Sequence, residues 1–193
     1  MEASETKKQL THARILDAAA RAIRRKGFEG VGVAEVMKEA GLTHGGFYAH
    51  FDSREAMLAE ALGRAGSAGA ASLAKRMEAR GTHGTSALRA VIESYLSESH
   101  LVGTESGCPV AALASEMPRQ SPQLRQASAE RVQALVERVT RALPEPRAKE
   151  EEMVIVSTMV GALQLARVLG ANTRGKAVLA AARESLLALH APD

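Results

Sequence analysis

Apolar residues recur along nearly the whole sequence at the spacing of a helix face, and this pattern constrains the fold more than any other feature. Ile15, Ala19, Ala22 and Ile23, for example, share one side of a helix. We find no run of alternating apolar and polar residues between turn signals, as a half-buried strand requires. The pattern predicts an all-α chain of about nine helices.

Glycine and proline mark where the predicted helices end and begin. Gly27 follows three basic residues, and Gly41 follows a short second helix, as expected for C-terminal caps. Pro109 and Pro122 suit the first turns of the sixth and seventh helices. We expect a loop over residues 103–107 and a sixth helix that continues through Met117.

Composition and charge narrow the class of protein. A single cysteine among 193 residues excludes a disulfide framework. No run of about eighteen uncharged apolar residues is present, and the N-terminus lacks an apolar segment after its charges, so we expect a cytoplasmic protein without membrane contact. Aromatic residues are only 3% of the chain and tryptophan is absent, so we expect any ligand pocket to be aliphatic and methionine-lined.

Basic residues are concentrated near the N-terminus. The net charge is only +3, but seven basic residues between Lys7 and Lys26 face one acidic residue, Asp17. Such a cluster favours a nucleic-acid partner, and a solvated helix face is the alternative interpretation.

Residues 33–50 have the pattern of a helix-turn-helix, two short amphipathic helices joined by a tight glycine turn. In the second of these, Phe47 and Phe51 are four residues apart, so both are expected to face the core. His44 and Tyr48 point elsewhere, and the N-terminal end of such a helix reads base edges in the major groove. Tyr48 offers a hydroxyl to phosphate and a ring to a thymine methyl group.

The wider pattern resembles the N-terminal domain of TetR-family (TetR/AcrR-type) repressors over roughly residues 10–62. The segments that carry the resemblance are Ile15-Leu16-Asp17-Ala18-Ala19, Gly27-Phe28, Val36-Met37-Lys38-Glu39-Ala40-Gly41, Gly45-Gly46-Phe47-Tyr48-Ala49-His50-Phe51 and Ser53-Arg54-Glu55-Ala56-Met57-Leu58.

The resemblance implies a DNA-binding site in the recognition helix and just after it. Arg54 matches a basic residue that grips phosphate. Two departures are present: residues 31–33 lack the family's phosphate-binding serine or threonine, and Ala49 replaces a larger side chain. The implied DNA-binding residues are Thr43, His44, Gly45, Gly46, Tyr48, His50 and Arg54.

The resemblance also implies the domain organisation. Residues 1–53 form the helix-turn-helix domain, and residues 54–193 form a ligand-binding and dimerisation domain with the helix over 54–78 as connector. Gly63, Gly66 and Gly69 make that helix locally soft. The last two helices are apolar on more than one face, which favours a homodimer, and two-fold symmetry places recognition helices roughly 34–36 Å apart on a palindromic operator.

An inducer pocket is expected among the fourth to eighth helices. Arg167 interrupts an apolar face and therefore needs an anion or carboxylate, from an acidic ligand or from the other subunit. The candidate ligand-binding residues are Tyr95, His100, Leu113, Met117, Met159, Leu163 and Arg167.

These features predict a ligand-responsive repressor that needs no cofactor or metal and is not an enzyme, since catalytic, metal-binding and phosphate-loop motifs are missing. Cys108 lies at a predicted helix N-terminus, where a thiol becomes more reactive, so a thiol sensor of electrophiles or oxidants is one alternative. A nucleoid-associated or cell-division factor that binds DNA is another.

Overall fold

The computed structural model describes residues 2–80, 86–145 and 148–191, and these residues form helices and no strand. Nine α-helices and three short 3₁₀ helices are present in these ranges. The α-helices are α1 (Glu2–Lys26), α2 (Val33–Glu39), α3 (Arg54–Arg80), α4 (Ala87–Tyr95), α5 (Glu98–Val102), α6 (Pro109–Leu113), α7 (Pro122–Ala142), α8 (Glu151–Leu169) and α9 (Thr173–His190).

The all-α prediction is confirmed, with four local differences. The expected loop over residues 103–107 contains a short 3₁₀ helix, Thr104–Ser106. The expected third helix is a 3₁₀ helix, His44–Ala49, which we call the recognition segment. α5 was missed, although the Ser97 hydroxyl caps it by accepting the His100 amide at 3.2 Å. α6 ends at Leu113 rather than continuing, and Met117 begins a separate 3₁₀ helix because Pro118 follows it.

Two glycines form the turns that shape the N-terminal bundle of α1, α2 and the start of α3. Gly27 and Gly41 have φ values of 75° and 69°, a left-handed conformation in which residues with a Cβ are strained. The turn at Gly41 is held by Arg14, which donates to the Ala40 carbonyl oxygen at 2.6 Å. Ser53 accepts the Ala56 amide at 3.0 Å and so caps α3.

The end of α1 is tied to the C-terminal helices by polar contacts. Arg24 is 8% exposed and donates to the carbonyl oxygens of Ala65 at 3.0 Å and Gly107 at 3.3 Å. Glu116 accepts the Phe28 amide at 2.9 Å. One side chain therefore bridges α1, α3 and the loop before α6.

α8 and α9 pack against each other and leave an apolar surface uncovered. By length and composition α8 is apolar enough to cross a membrane, a test that core helices also pass. One face of α8 is in the core, whereas Val154, Leu165 and Val168 on its other side are 57%, 61% and 84% exposed. Leu189 of α9 is 71% exposed. Together these residues form what we call the outer apolar face.

Candidate functional site

The recognition segment is anchored by aromatic side chains that reach into the core. Phe47 and Phe51 are 1% and 3% exposed, and their rings stack with centroids 5.5 Å apart. The His12 ring of α1 stacks on Phe51 at 4.5 Å. This aromatic packing fixes a six-residue element that would be too short to hold its shape alone.

The opposite side of the recognition segment is open to solvent. Tyr48 is 72% exposed, and its ring packs edge-to-face with Phe47 at a centroid distance of 5.2 Å. Thr43, His44 and Gly45 are also exposed, and a Cβ built on Gly45 would meet no atom within 4 Å. The exposed side of the recognition segment therefore leaves room for a DNA backbone to approach closely.

His50 and Arg54 are held by the protein itself. The His50 Nδ1 atom is buried without a hydrogen-bond partner, and burial, with the nearby charges of His12 and Lys8, lowers the pKa of His50. Arg54 donates to the carbonyl oxygens of Phe28 and Val31. Its guanidinium thus fixes the loop between α1 and α2, and its role as a phosphate contact stays a prediction.

Most of the basic run in α1 serves the fold. Arg21 pairs with Glu39 at 2.8 Å, and Arg25 pairs with Glu39 at 3.2 Å and with Glu105 at 3.1 Å. Lys26 pairs with Glu35. Three of the seven basic residues therefore have acidic partners, and the interpretation that this run marks a nucleic-acid surface stays a prediction.

Two lysines in the run are placed differently. Lys7 and Lys8 make no ion pair with the described residues, and they border an open cleft with Ala49 and His50 at the end of the recognition segment. Charges at this position suit the phosphates that flank a base contact.

A cavity of about 70 Å³ lies between α3, α4, α7 and the start of α6. Its described lining is Gly66, Gly69, Ala70, Leu73, Arg76, Tyr95, His100, Cys108, Pro109, Val110, Arg131, Ala134, Leu135 and Arg138. The lining is partly aliphatic, as expected, but it holds no methionine. Three arginines take the place of the expected methionine wall.

His100 closes one end of the cavity as a neutral imidazole. Its Nδ1 donates to the Tyr95 carbonyl oxygen at 2.7 Å, and its Nε2 accepts the Cys108 amide at 3.0 Å. Burial, and next the charge of Arg76, lower the pKa of His100 from 6.5 to about 3. The His100 ring therefore links the end of α4 to the Cys108 backbone through two hydrogen bonds.

Several polar atoms around the cavity have no partner among the described residues. The Tyr95 side chain is 1% exposed, its hydroxyl oxygen has no partner within normal hydrogen-bond geometry although the Cys108 thiol lies beside it, and burial, followed by Cys108, raises the pKa of this phenol. Arg76 donates through Nε to the Ser94 carbonyl oxygen and through Nη1 to Ser72, which leaves its buried Nη2 unpaired. Unpaired buried donors are costly unless a ligand satisfies them.

Two family models and two curated relatives match this chain. The model described as "Bacterial regulatory proteins, tetR family" matches residues 15–61, and "Transcriptional regulator LmrA/YxaF-like, C-terminal domain" matches residues 85–184. An uncharacterised HTH-type transcriptional regulator of Mycobacterium tuberculosis is 30% identical over 166 residues, which cover 80% of this chain and 83% of that protein. The chain belongs to the TetR family.

Solved structures of TetR-family proteins share the fold. Escherichia coli NemR in its reduced form is 22% identical, with a TM-score of 0.75 over 95% of this chain and 98% of its own. A TetR transcriptional regulator from Chloroflexus aurantiacus is 23% identical, with a TM-score of 0.75 over 96% and 98%. Membership of the family makes this protein a DNA-binding transcriptional regulator and not an enzyme.

In this TetR-family chain the predicted ligand-binding residues do not all meet. Tyr95 and His100 line the cavity, whereas Leu113, Met159 and Leu163 are fully buried in the core and lie outside the described lining. Met117 borders a separate open groove beside α7.

Arg167 is also outside the described lining. It donates through Nη2 to the His100 carbonyl oxygen at 2.9 Å, whereas its buried Nε has no partner among the described residues, so the expected anion or carboxylate stays a prediction.

The cavity arginines were missed by sequence reasoning. Arg131 and Arg138 lie on the same face of α7 as Ala134 and Leu135. From the sequence alone, two arginines on one helix face indicate a solvent-exposed surface. Arg76 lies in the glycine-interrupted α3, where charge is ordinary. The spacing of 131, 134, 135 and 138 was the one available signal, since it is helical and mixes charge with apolar residues.

His100 gives this protein a distinct dependence of stability on pH. The unfolded imidazole binds a proton near pH 6.5 and the folded one near pH 3, so the stabilisation is present above pH 6.5 and is lost as pH falls towards 3. Between about pH 4 and 6 the free energy of unfolding of the wild-type protein should rise with pH. We expect His100→Gln to reduce this slope by up to about 1.4 kcal/mol per pH unit. Urea unfolding of both proteins measures this, and parallel pH profiles would contradict it.

Proposed function

We propose that the protein is a homodimeric repressor that binds a palindromic operator in the cytoplasm and is released from it by a small molecule in the C-terminal cavity. The observation that carries the DNA-binding part is the recognition segment, which is fixed from behind by Phe47 and Phe51 and presents Tyr48 outwards. Base contacts then come from Thr43, His44 and Tyr48, and Lys7 and Lys8 bind flanking phosphates.

The outer apolar face supports the dimer. Val154, Leu165 and Val168 follow one another at helical spacing on α8, and Gly161 between them leaves open space above the helix. Exposed apolar residues in such a row need a cover, and a second copy of the same face supplies it by two-fold symmetry. Two recognition segments are then fixed relative to each other, as a palindrome requires.

The route from cavity to DNA runs through Arg24. The Cys108 amide is bound to His100 in the cavity wall, and the Gly107 carbonyl oxygen beside it accepts from Arg24 of α1. A ligand that shifts this backbone moves α1 and with it the recognition segment. Ligand and operator then weaken each other's binding by the same factor.

Selection of bound duplexes from a random DNA pool tests the proposal. The expected result is a two-fold palindrome with half-sites one helical turn, or a multiple of it, apart. Enrichment of a site without two-fold symmetry would overturn the dimeric arrangement. No enriched sequence at any salt concentration would overturn specific repression and favour a nucleoid-associated factor, whose binding is mainly electrostatic.

The position of Cys108 favours a second candidate function, a thiol-based sensor of electrophiles or oxidants. The half-buried Cys108 thiol lines the cavity beside Tyr95. A modified sulfur would therefore disturb the hydrogen bond between the Cys108 amide and His100. Treatment with N-ethylmaleimide is then expected to release the operator from the wild-type protein and not from Cys108→Ser. Unchanged affinity of the alkylated wild-type protein would remove this candidate.

A further inference from the structure

The charges that line the C-terminal cavity are all positive. Arg76, Arg131 and Arg138 contribute guanidinium groups, and the described lining contains no aspartate or glutamate. Arg131 has Glu130 at 3.7 Å, but this carboxylate side chain is 55% exposed and is shared with Gln126 at 3.4 Å. The remaining two arginines have no carboxylate partner among the described residues.

Arg131 and Arg138 of α7 are both partly removed from water at the cavity. Gly66 gives the Arg131 side chain its space, since a Cβ there would lie 2.9 Å from Arg131 Cδ. Arg138 is partly buried and makes no hydrogen bond or ion pair with the described residues. Guanidinium groups that are half removed from water without a partner carry a desolvation cost that a bound anion would offset.

The other polar groups favour a neutral or anionic oxygen acceptor. Tyr95 has an unpaired hydroxyl that can donate, and Arg76 has an unpaired Nη2. Both nitrogens of His100 are used by the backbone, so the imidazole adds no charge. Leu73, Val110 and Leu135 supply an apolar wall for the rest of a ligand.

We infer that this cavity binds a small organic carboxylate, held by Arg138, Arg131 and Arg76 with the Tyr95 hydroxyl as an added donor. A carboxylate matches the planar fork of a guanidinium, and the apolar wall selects against an inorganic anion. A volume of about 70 Å³ lies well below that of common ligand pockets and therefore favours a small acid over a larger ligand. The inference rests on the proposed inducer site and gives it a ligand class.

Paired acids and amides test the charge requirement directly. Sodium butanoate and sodium benzoate are compared with butanamide and benzamide, and with inorganic phosphate, at constant ionic strength. Calorimetric titration and thermal unfolding of the full chain report binding. We expect both acids to bind and to raise Tm, and each amide to bind at least about tenfold more weakly, as expected for loss of a charge-assisted bond.

Variants locate the binding site. Arg138→Gln and Arg131→Gln are each expected to weaken benzoate binding at least about tenfold, and Arg138→Gln should fold normally because its side chain has no described partner. Arg141→Gln is the matched control on the exposed side of the same helix, and its affinity for benzoate should equal that of the wild type.

The outcomes separate this inference from the proposed function. Failure of both acids to bind, equal binding of acids and amides, binding of phosphate alone, or no effect of either arginine variant would each overturn the carboxylate site. Operator binding is measured on the same samples. A protein that binds its palindrome but no acid loses only the carboxylate inference, and a protein that binds benzoate but selects no DNA sequence loses only the proposed function.

Discussion

Replacement of Tyr48 by alanine is expected to weaken sequence-specific DNA binding strongly while the fold stays intact. The side chain is 72% exposed and touches only the edge of the Phe47 ring, so its removal should cost at most about 1 kcal/mol of stability. A lost base or phosphate contact costs about 1–3 kcal/mol per protomer, so the dimer should lose roughly 30-fold or more in affinity. Fluorescence anisotropy on the selected operator, at fixed salt, measures this.

Two controls sharpen the experiment on Tyr48. Tyr48→Phe keeps the ring and removes the hydroxyl, so it distinguishes contact with a thymine methyl group from a hydrogen bond to phosphate. Val102→Ala removes a similarly exposed apolar side chain from α5 and should leave DNA affinity unchanged. Wild-type affinity of Tyr48→Ala would mean that the recognition segment is not the DNA-reading element.

Local signals in the sequence were sufficient to predict the N-terminal bundle. Gly27 and Gly41 occupy left-handed positions that only glycine adopts easily, so each glycine marked a true turn. Phe47 and Phe51 were expected in the core from their spacing, and both are buried. The same spacing could not distinguish a 3₁₀ helix from an α-helix over six residues, because six residues make two turns or fewer of either helix and do not define its period.

Long-range pairing is what the sequence could not provide. The partners of Arg21 and Arg25 lie 14 to 80 residues away, and only the fold brings them together. Arg167 shows the same limit, since the His100 carbonyl oxygen that accepts from it lies 67 residues away, while its buried Nε has no partner among the described residues. The cavity arginines were missed for the same reason. Arg76 and Arg138 line one cavity only because α3 and α7 pack against each other.

The three glycines of α3 look equivalent in the sequence but have different neighbours in the structure. All three weaken a helix in the same way by sequence, but the structure gives them different surroundings. A Cβ on Gly63 would meet nothing within 4 Å, and one on Gly66 would meet the flexible Arg131 side chain. A Cβ on Gly69 would lie 2.9 Å from the Gly107 carbonyl oxygen, the atom that accepts from Arg24. Only Gly69 therefore touches the proposed route from cavity to DNA.

Alanine at Gly63 and at Gly69 is expected to change stability in opposite directions. Gly63→Ala should raise the free energy of unfolding by roughly 0.5–1 kcal/mol, the gain for alanine over glycine in a helix. Gly69→Ala receives the same gain but must displace the backbone at Gly107, and such overpacking costs about 1–3 kcal/mol. Urea unfolding of the two variants measures the difference, with Gly66→Ala expected to lie between them.

The displaced backbone should also be visible at Cys108 and at the DNA. Moving Gly107 away from α3 exposes the neighbouring thiol, so N-ethylmaleimide should react faster with Gly69→Ala than with Gly63→Ala. The same movement breaks the link from the cavity to Arg24, so release of the operator by a cavity ligand should be weakened more than operator binding itself. Equal stabilisation by both alanines, with unchanged thiol reactivity, would contradict a role for Gly69 in this coupling.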